Sequence, residues 1–329
     1  MGTFLGHLVP GLALIFLGWW HMINTVHLYY LKGSTKFMRR FWYPLKSPWH
    51  KLERIELIIV MSFSILAILI QVFDLQSLCF SFKLDNIEHS TTFLLLLIFE
   101  GFTLISEMNG LSEIMLGVSG ILVASVFGME LFLLHFHSTD YIGLEGHYHW
   151  LMQLIVCVSF FASLSATTFP TSFPMALILS VSVVFQGCWF INMGFMLWVP
   201  KFISRGCSME PLDPVNGIIR GAVVCETNMA DSRARALANL QFCWIFAAIL
   251  IFKACICIYF GRQCKPAGRQ GLEYEQLSSG AAHEHLATFG FKQVQLQNIT
   301  CPGVSLQSNH RYDIRVEPYP YFFYRVSIS

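Results

Sequence analysis

Seven long apolar runs dominate the chain, at about Phe4–Leu31, Leu52–Phe73, His89–Glu107, Ser112–His137, His147–Phe169, Ser172–Val199 and Ala236–Phe260. A bilayer core about 30 Å thick takes roughly 20 apolar residues in helical form. Most of the runs are too long and too evenly apolar to be amphipathic helices of a soluble core. The turn signals that a soluble β protein would need inside them are absent. The third and fifth runs carry more polar residues than the others. The pattern predicts an all-α, polytopic membrane protein built as a seven-transmembrane-helix bundle.

Orientation follows from Lys and Arg. None precedes the first run, and no small-residue cleavage site follows it, so it reads as a retained helix and not a signal peptide. The segment Met1-Gly2-Thr3 hints at myristoylation, but Gly6 stands where that pattern needs Ser or Thr. The next connection holds Lys32, Lys36, Arg39, Arg40, Lys46 and Lys51. This asymmetry places that loop in the cytosol, the N-terminus lumenal or outside, and the C-terminus cytosolic. Later loops agree more weakly, since Pro200–Arg235 would be lumenal yet carries five Lys or Arg.

Most connections are short, which makes successive helices antiparallel neighbours. The long one, Pro200–Arg235, contains Cys207 and Cys225. On the lumenal side an oxidising compartment permits a disulfide between them, and two free thiols are the alternative. Cys157, Cys188, Cys243, Cys255 and Cys257 lie inside the runs and read as small packing residues. Gly11 and Gly18 share one face of the first helix and would allow close helix approach. Trp189 and Trp244, central in their runs, are expected to pack inside. Beyond about residue 261, Gln, Ser, Gly and Pro rise. The chain thus divides into a transmembrane domain, 1–261, and a mostly disordered cytosolic tail, 262–329. The tail carries a Tyr274-Glu275-Gln276-Leu277 match to a sorting signal and an Asn298-Ile299-Thr300 sequon.

Composition adds exclusions. Of 329 residues, 55% are hydrophobic and only 12% charged, against about a quarter charged in a soluble domain. The net charge of +1 offers no field for nucleic acid. The partner that composition implies is the lipid bilayer.

Ionisable residues inside membrane helices are costly and mark functional sites by default. On the third helix, His89, Glu100 and Glu107 fall along one line. On the fourth, Glu130 and His137 share a face, while His135 points elsewhere. His149 and Gln153 sit one turn apart on the fifth, preceded by His147. Gln186 and Asn192 lie on the sixth, and Asn239 and Gln241 open the seventh. The first helix offers His7 near its start and His21 further in. With the predicted topology, His7, His89, His135, His137, His147 and His149 gather near the lumenal face, with Glu130 and Glu100 beneath them. The candidate site is therefore His89, Glu100, Glu130, His137, His147 and His149, with His7, Gln153, Gln186 and Asn239 as a second tier. Imidazoles and carboxylates are the ligand set of a divalent transition metal such as zinc. They also suit a small polar ligand or a proton path. Interhelical hydrogen bonding is the plainer account.

No catalytic signature is present: no His-Glu-x-x-His, Gly-x-Ser-x-Gly, Walker loop or Gly-x-Gly-x-x-Gly. Three functions are carried forward. The first is a non-enzymatic binder of a metal or small polar ligand in the lumenal half of the bundle. The second is a ligand-free scaffold or trafficking partner. The third is an intramembrane zinc hydrolase, which the absence of histidine from the seventh run weakens. A haem carrier lacks a second histidine layer.

Several segments carry a resemblance: Met1-Gly2-Thr3-Phe4-Leu5-Gly6-His7, Gly18-Trp19-Trp20-His21, His135-Phe136-His137-Ser138, Gly143-Leu144-Glu145-Gly146-His147-Tyr148-His149, Pro170-Thr171-Ser172-Phe173-Pro174, Gln186-Gly187-Cys188-Trp189-Phe190 and Ala238-Asn239-Leu240-Gln241-Phe242. Over about residues 1–260 the chain resembles the transmembrane protein 45 family, and its plant members labelled as viral-response proteins most of all. The resemblance implies a seven-helix integral membrane protein of the secretory pathway (Golgi or endosome) or plasma membrane. It implies no biochemical activity.

Overall fold

The computed structural model describes residues 4–45, 54–74, 79–80, 84–136, 143–209 and 223–263. Among the described residues, seven helices are each long and apolar enough to cross a membrane. They are α1 (Phe4–Lys32), α2 (Ile55–Val72), α3 (Leu84–Met108), α4 (Leu116–Phe136), α5 (Gly143–Thr168), α6 (Phe173–Trp198) and α7 (Asn228–Gln263). Two short antiparallel pairs accompany them. β1 (Phe73–Asp74) pairs with β2 (Cys79–Phe80), and β3 (Cys207–Ser208) with β4 (Val224–Cys225). The predicted tail, the Tyr274 and Asn298 motifs and the Met1-Gly2-Thr3 segment lie outside the described residues.

Local chemistry sets the helix ends. Gly110, at φ 68°, closes α3. The Leu111 N–H donates to the Ser106 carbonyl at 2.9 Å and the Gly110 N–H to that of Glu107 at 3.2 Å, a Schellman closure that needs a left-handed residue. Pro174 sits in the first turn of α6, where its missing N–H is not needed. α7 begins well before the apolar run that revealed it. Thr227 caps it, its hydroxyl accepting the Ala230 N–H at 3.1 Å. One turn on, Asp231 and Arg235 pair at 2.8 Å. Hydropathy sees only the apolar part of such a helix.

Packing follows chain order. α2 lies on α3, α3 on α4, α4 on α5 and α5 on α6, and α6 makes its most extensive contact with α1. α7 rests against α6, α1 and α5. The α1–α6 seam depends on small residues. A Cβ on Gly187 would stand 2.6 Å from the Gly11 carbonyl oxygen, and one on Gly18 would stand 2.8 Å from the Val184 backbone nitrogen. Close backbone approach of this kind is how membrane helices associate without a hydrophobic driving force between them. The core around this seam contains Met22, Val26, Met152, Trp189, Met193 and Leu197. Trp189 is fully buried, as expected, but Trp244 is 69% exposed and turns outward from the bundle. An outward apolar face suits lipid.

The connection after α1 does not stay outside the bundle. Phe37, Arg39, Phe41, Trp42 and Tyr43 are all buried. The Arg39 N–H donates to the Pro170 carbonyl at 2.8 Å, fastening this segment to the turn before α6. The basic residues counted for topology therefore include one, Arg39, that is folded inward.

Candidate functional site

A cavity of about 580 Å³ lies among α1 to α6, within the roughly 300–1,000 Å³ usual for small-molecule sites. Leu17, Phe63, Phe93, Leu96 and Phe127 are among its apolar lining. Its polar groups occupy two ends. His7, His89 and His149, with Glu130 and Gln186 deeper in, stand where α1, α3 and α5 begin and α4 and α6 end. Trp20 and Glu56 stand at the other end. Phe16 of α1 and Ile59 of α2 also line the cavity and are 71% and 59% exposed. α1 and α2 form no extensive packed pair, so the cavity faces outward between these two helices.

At the histidine end, aromatic contacts and hydrogen bonds span helices. His7 is buried and stacks on Trp198, with centroids 4.4 Å apart, and meets His149 edge-on at 6.3 Å. His149 Nδ1 reaches the Glu145 carbonyl at 3.0 Å, which fixes it as the protonated nitrogen of that ring. The Gln186 amide donates to Glu130, joining α6 to α4. The Gln186 carbonyl oxygen is buried without a hydrogen-bond partner.

The opposite end is organised by Glu56, in the first turn of α2. Its Oε2 accepts the Trp20 indole N–H at 2.7 Å and the Tyr43 backbone N–H at 2.8 Å, and its Oε1 faces His21 Nε2 at 2.7 Å. Tyr43 in turn shares a hydrogen bond of 2.9 Å with Thr25. One carboxylate thus ties together α1, α2 and the buried connection.

A side chamber of about 90 Å³ adjoins this end. It shares Leu17, Glu56, Leu96, Val126, Phe127 and Val183 with the large cavity, and adds His21, Arg39 and Glu100. The Arg39 guanidinium lies over the Phe41 ring at 4.1 Å. Burial draws it down to about 10, against a weak opposing effect of Tyr43.

The sequence-predicted residues separate as follows. His89, Glu130, His149, His7 and Gln186 line the one cavity. Glu100 is buried and lines the side chamber. Along α3 it is about 16 Å from His89 at 1.5 Å per residue, so the two share a helical face but no ligand. Glu107, further along that line, buries one carboxylate oxygen without a partner. His147 turns to α7, where Nε2 meets Asn239 Oδ1 at 2.9 Å. Gln153 donates to the Leu134 carbonyl at 2.9 Å and lies 3.4 Å from His135. His137 lies outside the described residues. Among the described residues no three His, Cys, Asp or Glu side chains converge to hold a metal ion. Cys207 and Cys225 face each other across β3 and β4 and form a disulfide. Two residues that sequence reasoning passed over matter most, Glu56 and Arg39. The available signal was an acid in the first turn of a strongly apolar run, and an arginine set among Phe37, Phe41, Trp42 and Tyr43.

The helices and the cavity define a class: a multi-pass, seven-helix membrane protein with an apolar intramembrane cavity that is polar at both ends. Residues 116–258, from α4 to late in α7, match the model of a family of unknown function, DUF716.

Proposed function

We propose that this protein binds an amphipathic molecule inside its transmembrane bundle. The observation that carries this reading is the 580 Å³ cavity, apolar along its walls and polar at both ends, facing outward between α1 and α2. A pure hydrocarbon would leave the polar ends unmatched, and a fully polar solute would leave the walls unmatched. At the histidine end, His7, His89, Glu130, His149 and Gln186 are the proposed contacts for an uncharged oxygen-bearing group or the water that accompanies it. The aromatic and apolar lining residues hold the body of the ligand. No catalytic role is assigned to any residue.

The sequence resemblance to the transmembrane protein 45 family supports a place in the secretory pathway or plasma membrane. The Cys207–Cys225 disulfide supports an oxidising compartment at the end where α6 finishes and α7 starts. The basic connection after α1 supports a cytosolic assignment for the other end. Together they favour a lumenal or outside N-terminus.

The test is native mass spectrometry of the protein purified in mild detergent, beside elemental analysis. The expected result is a co-purified amphiphile of lipid-like mass, lost when Ala13, which lines the cavity, is replaced in the variant Ala13→Phe. About one equivalent of zinc in its place, lost when His89 and His149 become Ala, would overturn the reading in favour of a metal site. A protein with neither ligand would leave the ligand-free scaffold as the better description.

A further inference from the structure

The side chamber is lined by two buried ionisable side chains, Arg39 and Glu100, that make no ion pair with each other or with another described residue. Arg39 is 5% exposed and Glu100 is 4% exposed. Arg39 makes no ion pair among the described residues, and its Nη1 has no hydrogen-bond partner. Glu100 makes no hydrogen bond to a described residue, and its Oε2 is buried. Both line the same space of about 90 Å³ without bonding to each other. The remaining ionisable groups there are Glu56 and His21, which are paired at 2.7 Å, and Glu56 also accepts two N–H groups. An unanswered buried charge is expensive, by several kcal/mol or more. A chamber with a buried guanidinium and a buried carboxyl that do not bond each other is matched to an occupant that brings an acidic group to the first and a basic group to the second.

Resting on the amphiphile reading above, we propose that the Arg39–Glu100 chamber binds the zwitterionic head of that ligand. The head's phosphate or carboxylate meets the Arg39 guanidinium, and its ammonium meets the Glu100 carboxylate. Three observations make the head part of a larger molecule. The chamber shares six lining residues with the large apolar cavity. Its volume exceeds the about 10–15 Å³ that one water needs, yet takes only a small polar group. The large cavity beside it then receives the acyl chain, with entry from the bilayer past Phe16 and Ile59. Arg39 also borders a smaller crevice lined by Thr103, Ser106 and Ser119. Arginine suits the role because its planar fork binds phosphate and carboxylate in two-point fashion.

The experiment compares four lipids of one chain length on the full-length protein in detergent. Lysophosphatidylethanolamine carries both charges, lysophosphatidic acid only the negative, sphingosine only the positive, and monoacylglycerol none. The expected order places lysophosphatidylethanolamine first, about tenfold or more tighter than monoacylglycerol. Arg39→Gln and Glu100→Gln each remove that margin and leave monoacylglycerol binding unchanged. Equal binding of the zwitterionic and neutral lipids would overturn the head site and leave the cavity reading standing. Tighter binding of either singly charged lipid would overturn the paired recognition. Failure of all four to bind would remove the cavity reading itself. The wild-type ranking decides the matter even if a variant does not fold, and Arg39→Lys, which keeps charge but loses the fork, is expected to fall between wild type and Arg39→Gln.

Discussion

Trp20 on α1 donates its indole N–H to Glu56 on α2 at 2.7 Å, linking two helices that do not otherwise pack extensively. Because Glu56 also holds His21 and the Tyr43 backbone, the carboxylate closes one end of the cavity. Glu56→Ala leaves three donors unmatched in a partly buried site. A lost hydrogen bond to a charged group is worth about 1.5–3 kcal/mol. The expected outcome is a lower unfolding temperature in detergent, and Glu56→Gln should recover part of it by still accepting. An unchanged unfolding temperature for the Ala variant would count against the hub.

The α1–α6 seam predicts a contrast between two Gly→Ala substitutions. At Gly187 the new Cβ meets backbone at 2.6 Å, whereas at Gly101 nothing lies within 4 Å. Overpacking a tight contact costs about 1–3 kcal/mol, while Ala for Gly in an open helix interior stabilises by about 1 kcal/mol. Thermal denaturation should therefore move in opposite directions for the two variants.

Gln186 and Glu130 form a coupled pair across α6 and α4. Gln186→Leu strands the carboxylate. A lost hydrogen bond to a charged group is worth about 1.5–3 kcal/mol, whereas apolar replacement of both partners is nearly neutral. The double variant Gln186→Leu with Glu130→Leu is expected to be more stable than Gln186→Leu alone. A double-mutant cycle on unfolding free energy measures the coupling, and strict additivity would refute it.

Removing the Cys207–Cys225 bond, which closes a separation of 18 residues, is expected to cost about 2–4 kcal/mol. The bond also reports sidedness. In sealed vesicles or intact cells, an impermeant maleimide applied from the non-cytosolic side should label these cysteines only after reduction. Labelling from the cytosolic side would reverse the proposed orientation.

The candidate site was legible in part. Helical periodicity set His89, Glu100 and Glu107 on one line, and depth arithmetic gathered the histidines near one end. Those facts follow from rise and twist along a single helix. Periodicity does not say which neighbour a line of residues meets. His147 faces Asn239 on α7, while His149, two residues on, faces the cavity with His7. Glu100 occupies a chamber apart from His89. Glu56 and Arg39 were passed over for a related reason: each sits beside an apparent helix boundary, where a charged residue ordinarily reads as solvated. Their burial depends on the connection after α1 folding back against Pro170.

By itself the sequence determined the seven apolar helices found among the described residues and their approximate extents. Hydropathy and length decide those within each segment, because a bilayer demands about 20 apolar residues with every backbone group satisfied internally. The tertiary structure alone decided that α1 returns to pack on α6, that α1 and α2 stay apart, and that a cavity opens among six helices. Such relationships arise from contacts between residues far apart in the chain, where a glycine at 187 admits a backbone from residue 11. No local pattern encodes that meeting; close packing does.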